Sequence, residues 1–190
     1  VGSIDNEIEV LSSKSMIKQA VLDKELYKEY RIKEYLTERV IYGKYPVNID
    51  IPKEDVEQLN RGLTLRITQP DSSTYTIAYT YRNQRTDEVE EYERSISALP
   101  YVIESPIGKL ILSKGEGETL SPTQTLYVSV VPPINMAKAF LRNLSIEPTS
   151  KTTSIAYISL LDVNKSRGVD FINSLVQAYN KASNNDKNLV

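Results

Sequence analysis

The chain lacks histidine, cysteine and tryptophan altogether, and among its 190 residues it has only two phenylalanines and two methionines. Each absence removes a class of chemistry. Without histidine or cysteine there is no Ser-His-Asp or Cys-His nucleophile system. Imidazole acid–base catalysis goes with them, as do the zinc sites that draw on those side chains. No disulfide can form, so a disulfide scaffold is excluded, while either redox compartment stays open. No apolar run approaches the ~20 residues that cross a bilayer, and no signal-peptide pattern opens the chain. The 23 basic and 25 acidic side chains leave a net charge of −2. That balance offers no footprint for nucleic acid, which needs a strongly basic face.

What remains is a globular composition, 40% hydrophobic and 25% charged, with thirteen tyrosines. A chain of this length buries enough surface to fold without metal or disulfide staples, and it reads as one domain over 1–190. Residues 1–95 hold 14 basic and 18 acidic side chains, residues 96–190 hold 9 and 7. The difference is too mild to mark a second domain or a polyanion site, so it reads as solvated surface.

Periodicity predicts the order of elements. Ile4, Ile8 and Leu11, then Ile17, Ala20 and Val21, follow helical spacing. Ser12-Ser13-Lys14-Ser15 interrupts them, which predicts two short helices with a serine capping the second near Met16. Tyr27–Tyr42 is rich in strand formers and ends at the turn signal Gly43-Lys44-Tyr45-Pro46. Val47, Ile49 and Ile51 alternate with polar residues, as do Leu63, Leu65 and Ile67. Pro70–Ser73 reads as a turn, followed by Tyr75, Ile77, Tyr79 and Tyr81 on one face of a strand. Further strands are expected at Val89–Ser97, Val102–Ile103, Leu110–Leu112 and Leu126–Val131. Lys114–Gln124 reads as the most flexible loop. A helix is expected over Ile134–Leu144, with Met136, Phe140 and Leu144 on one stripe, then a strand over Ser154–Leu161. Asp162–Ser166 is rich in capping side chains, and a last helix follows from Val169 to about Asn188, with Ile172, Leu175, Val176 and Tyr179 inward. The pattern predicts an α+β fold, a mostly antiparallel sheet packed with N- and C-terminal helices. The start without methionine and the polar end of the last helix are read as signs of a piece of a longer chain.

Three clusters invite a chemical reading. Asp87, Glu88, Glu90, Glu91 and Glu93 could supply paired carboxylates for glycosidic cleavage. A raised-pKa acid needs burial, however, and the alternation offers no apolar shield, so a charged strand edge is preferred. Gly115-Glu116-Gly117 lacks the lysine of a phosphate loop and is flanked by acids. It reads as a mobile tip. Tyr75, Tyr79 and Tyr81 could form a sugar-stacking platform, although tyrosine is also a good strand former. The sequons at Asn143 and Asn164 carry little weight.

The two ends carry a more specific pattern. Ile4-Asp5-Asn6-Glu7-Ile8-Glu9-Val10-Leu11-Ser12-Ser13-Lys14-Ser15-Met16-Ile17 resembles the opening of the extracytoplasmic domain of bacterial polysaccharide chain-length determinants, the polysaccharide co-polymerases. The closing strand Ile155–Leu161, the Asp162-Val163-Asn164 segment and a helix with Phe171, Asn173, Leu175 and Tyr179 resemble the same family. Lys165 stands where that family usually has proline, and Gly168 stands near its small residue. Ile41-Tyr42-Gly43-Lys44-Tyr45-Pro46 looks most like members fused to a cytoplasmic tyrosine autokinase.

The resemblance implies a non-catalytic domain on the periplasmic face of the inner membrane, between transmembrane helices that flank it. It implies homo-oligomeric rings in the full-length protein, working beside a polysaccharide polymerase and export machinery, with polysaccharide itself as a further partner and no cofactor. It further implies that the length of capsule, exopolysaccharide or O-antigen chains is what the protein regulates. The residues carried over as motif or interface candidates are Asn6, Glu7, Ile8, Glu9, Leu11, Ser13, Asp162, Asn164, Asn173 and Tyr179. The first and last helices are expected to lie together, since both chain ends return to the membrane. The alternative reading is a free-standing carbohydrate-binding module using the tyrosine strand face, with a carboxylate glycosidase third.

Overall fold

In the computed structural model, which describes residues 3–188, the first helical pattern breaks where the serines stand. Helix α1 spans Ser3–Leu11 and α2 spans Lys14–Asp23. Ser13 has extended backbone and its hydroxyl accepts a hydrogen bond from the Met16 amide at 3.3 Å. Here the cap satisfies an amide donor that has no carbonyl four residues earlier in the helix. The chain ends themselves, Val1-Gly2 and Leu189-Val190, lie outside the described residues.

The rest of the chain is strand-rich. It runs through β1 (Lys28–Glu34), β2 (Thr37–Ile41), β3 (Val47–Asp50), α3 (Lys53–Glu57), β4 (Leu63–Asp71), β5 (Thr74–Arg82), β6 (Val89–Ile96), β7 (Tyr101–Ser105), β8 (Gly108–Lys114) and β9 (Gln124–Val130). It closes with α4 (Pro133–Arg142), β10 (Leu144–Pro148), β11 (Ala156–Leu160) and α5 (Lys165–Asn188). Every strand pair is antiparallel. The fold is α+β, with helices at both ends of the sequence.

The chain divides into two compact units. One is contiguous, Lys28–Pro132. It holds a six-stranded sheet of order β2-β1-β9-β4-β5-β6 and a three-stranded sheet of order β3-β8-β7. Strand alternation sends Tyr30, Ile32, Leu65, Ile67, Ile77, Leu126 and Val128 to one buried face. The small sheet contributes Val47, Ile49, Ile103, Leu110 and Leu112, all at most 2% exposed. Across this core the Tyr30 hydroxyl accepts the Ile49 amide at 3.0 Å, so this buried polar tip has its partner.

The other unit joins the two ends, residues before Lys28 and after Pro132. Helices α2, α4 and α5 pack around Ile17, Ala20, Val21, Phe140, Phe171 and Leu175. The Phe140 and Phe171 rings stack with centroids 4.3 Å apart. The hairpin of β10 and β11 meets α1 through β10 and α5 through β11.

Several expectations need correction. The strand-forming run Tyr27–Tyr42 folds as a hairpin, β1 to β2, turned at Tyr35 with φ of 53°. Strand β4 continues through Pro70 and Asp71, leaving only Ser72-Ser73 for the turn. There the Asp71 carboxylate accepts the Ser73 amide at 2.9 Å. That bond and the Ser73 hydroxyl lower its pKa. Helix α4 ends at Arg142, and Leu144 opens a strand instead of closing the helical stripe. The Asn143 side chain turns back to the Ala139 carbonyl at 3.3 Å. Leu144 and Ile146 then pair with Leu160 and Ile158 at period two. Helix α5 begins at Lys165, four positions before the apolar pattern becomes helical, because Asn164 caps it. The Lys114–Gln124 loop is pinned: the Gly115 and Gly117 amides donate to the carbonyls of Pro46 and Tyr45, and Leu120 is buried. A Cβ on Gly115 would sit 1.8 Å from the Tyr45 oxygen, so both glycines serve close backbone approach.

Candidate functional site

The motif residues at the two ends of the sequence lie far apart along the chain and meet within one unit. Helices α1 and α5 are in contact. Asn6, Glu7 and Val10 face Tyr179, Ala182 and Ser183 across a shallow hollow of 180 Å³. Tyr179 has its hydroxyl pKa raised, first by burial and then by a hydrogen bond to, and the charge of, the Glu7 carboxylate. A phenol beside a carboxylate keeps its proton, because losing it would place two negative charges together.

The other candidates hold secondary structure in place. Ile8 is half-buried and Leu11 is buried, so they form the inner side of α1, while Glu9 faces solvent. Ser13 caps α2. Asn164 caps α5 through its side-chain oxygen, which accepts the Arg167 amide at 3.0 Å. Asp162 pairs with Arg167 in a two-pronged contact, Nε to Oδ2 at 2.9 Å and Nη2 to Oδ1 at 2.6 Å. Both side chains are at most 10% exposed, and the Arg167 guanidinium also lies 5.7 Å from the Phe140 ring centroid. Charge-assisted bidentate pairs of this kind fix geometry as well as charge. Gly168 is buried beside them, and a Cβ there would meet Asp162 Cβ at 3.4 Å, an ordinary contact distance. Asn173 is exposed on α5 and joins none of these contacts. The inward stripe of α5 runs through Arg167, Phe171, Ser174, Leu175 and Ala178. Ile172, Val176 and Tyr179 are half-buried at its margins.

Arg167 was not legible as a site residue, since an arginine in a first helical turn ordinarily points to solvent. The one available signal was an acid five positions earlier in a segment rich in caps.

In the contiguous unit the tyrosines of β5 point inward. Tyr79 is buried, stacks on Tyr92 with centroids 4.9 Å apart, and donates to Glu90 Oε1 at 2.9 Å. Desolvation, then the bond to Glu90, raises its pKa. Tyr92 is pushed up to about 12 by desolvation and then by the Tyr101 hydroxyl. Tyr75 and Tyr81 are half-buried. This face is therefore an internal layer, and Tyr79 is not available as an open stacking surface. Glu90, for which no apolar shield was expected, lies against Tyr79. The acidic strand β6 forms one edge of the six-stranded sheet, where like-charged side chains discourage strand addition.

Among the described residues no helix is long and apolar enough to cross a membrane. Compared with known proteins, the chain matches no family model and no curated sequence at a significant level.

Proposed function

We propose that the chain is the non-catalytic assembly domain of a polysaccharide co-polymerase, held at the periplasmic face of the inner membrane by spans on either side. In this reading it forms homo-oligomers in the full-length protein, stands beside a polymerase and export machinery, and sets the length of the polymer they make. The observation that carries the reading is the meeting of the two end motifs, Glu7 on α1 against Tyr179 on α5, in a unit made only from the two ends of the sequence. A domain strung between two membrane spans gains from such closure, because the helix after the first span is then tied to the helix before the second. The remaining motif residues support the same view. Ser13 and Asn164 cap helices, and Asp162 anchors Arg167. They build a scaffold and do not converge on one reacting centre.

The test is genetic. In a strain that makes the full-length protein, deleting its gene is expected to broaden or shift the size distribution of the surface polysaccharide on a gel. Restoring the gene with Asp162→Ala should fail to correct it. A distribution unchanged by the deletion would sink the proposal.

A further inference from the structure

The open face of the six-stranded sheet is the other half of the tyrosine problem. Register places Tyr127 of β9, Arg66 of β4, Ala78 of β5 and Glu93 of β6 in one row across the strands. Neighbouring strands lie about 4.8 Å apart, so Arg66 and Glu93 stand about 10 Å from each other across Ala78. Ala78 contributes one methyl group, 6% exposed, as the floor between two long side chains. The result is a groove of 660 Å³, within the range of ligand sites. In the next row Thr80 and Glu91 are register partners and add a hydroxyl and a second carboxylate to its lining.

We propose that this groove binds a neutral glycan chain, seated over Ala78 between Arg66 and Glu93. Three features select that ligand. First, a guanidinium and two carboxylates supply planar, two-pronged donors and acceptors, the geometry that vicinal sugar hydroxyls match. Unlike Arg31, which pairs with Glu38 at 2.6 Å, the side chains of Arg66, Glu91 and Glu93 make no hydrogen bond or ion pair among the described residues. Second, two carboxylates against one guanidinium repel a polyanion, so uronate-rich or phosphorylated chains are disfavoured. Third, the lining is mostly polar, with three tyrosines, Tyr79, Tyr92 and Tyr127, among its residues. That is poor for lipid or an apolar peptide and suited to a sugar, which offers hydroxyls and one C–H face. The choice of a glycan deepens the polysaccharide reading above and rests on it.

The whole chain is titrated by calorimetry and by NMR with neutral glucose hexasaccharides, one α-linked and one β-linked, and with a uronate hexasaccharide. Saturable binding of a neutral hexamer is expected, with shifts at Arg66, Ala78 and Glu93. Ala78→Leu fills the floor and should abolish it. Arg66→Ala and Glu93→Gln, at exposed positions, should each weaken it about tenfold while the melting temperature stays put. Arg82→Ala, on the same sheet but outside the groove, should bind as the unmodified chain does. No saturation with either neutral hexamer overturns the proposal. So does binding unmoved by all three groove variants, or tighter binding of the uronate. The two readings fail separately. Polymer length that depends on the gene, with no glycan binding, sinks the groove and leaves the co-polymerase reading. Groove binding with polymer length indifferent to the gene does the reverse.

Discussion

The two units reach stability by different routes. The contiguous unit is made of local hairpins. β1–β2, β4–β5, β5–β6 and β7–β8 are each neighbours in sequence, and β9 returns to join β1 and β4. The other unit must bring residues before Lys28 to residues after Pro132. It is closed by a few specific links: the packing of α2 against α4 and α5, the Ser174 hydroxyl on the Ala20 carbonyl at 3.0 Å, and Glu7 against Tyr179. A hairpin-built sheet spreads its stability over many similar pairs. A unit closed across a long loop concentrates it in few residues, since every such link carries loop-closure entropy.

That contrast can be broken in graded steps. Asp162→Ala takes the bidentate carboxylate away from the buried Arg167 guanidinium and should cost about 3–5 kcal/mol. Phe171→Ala, at the centre of the same unit, should cost a similar ~3–5 kcal/mol. Both are read from denaturant midpoints, with hydrogen exchange expected to speed up first in α2, α4 and α5. If strands β4 and β5 lose protection first instead, stability is not concentrated where the contrast puts it. Ser13→Ala removes one cap and should cost about 1 kcal/mol. Asn173→Ala, at a motif position that faces solvent, should change stability by no more than about 0.5 kcal/mol. The contiguous unit has its own marker, alkaline pH. Tyr79 and Tyr92 hold their protons more tightly folded than unfolded, so stability is full below about pH 10 and falls as pH rises toward 12. Tyr92→Phe should flatten that decline, measured by denaturation at several alkaline pH values.

Most of the framework was legible because period and punctuation agree. The serine break between α1 and α2, and the alternating runs at Leu63–Ile67 and Tyr75–Tyr81, all fell where structure forms. What was not legible depends on neighbours that sequence separation conceals. Leu144 fits a helical stripe with Phe140 equally well, until Leu160 offers it a strand partner. The Gly115–Gly117 segment looks mobile until the Tyr45 carbonyl is seen beside it. Short α3 has only Pro52, with Glu54 and Asp55 after it, as a start signal. For the motif residues, spacing placed Glu7 and Tyr179 on helices, but nothing in spacing alone sets one against the other. The groove is the clearest case. Alternation tells that Arg66, Ala78 and Glu93 face away from their apolar neighbours. Only register across three strands puts them in a row.

The absence of tryptophan gives the stacked rings a further value. All strong near-ultraviolet absorption of this protein comes from tyrosine, and two parallel tyrosine pairs, Tyr30 with Tyr45 at 3.6 Å and Tyr79 with Tyr92 at 4.9 Å, lie in the contiguous unit. The two phenylalanines, stacked on each other, lie in the other unit. The molecule therefore carries native optical labels: the finer phenylalanine bands report one unit alone, while ten of the thirteen tyrosines, both stacked pairs included, weight the tyrosine circular dichroism toward the other. Their melting curves, recorded from one sample, can be followed without a single introduced probe.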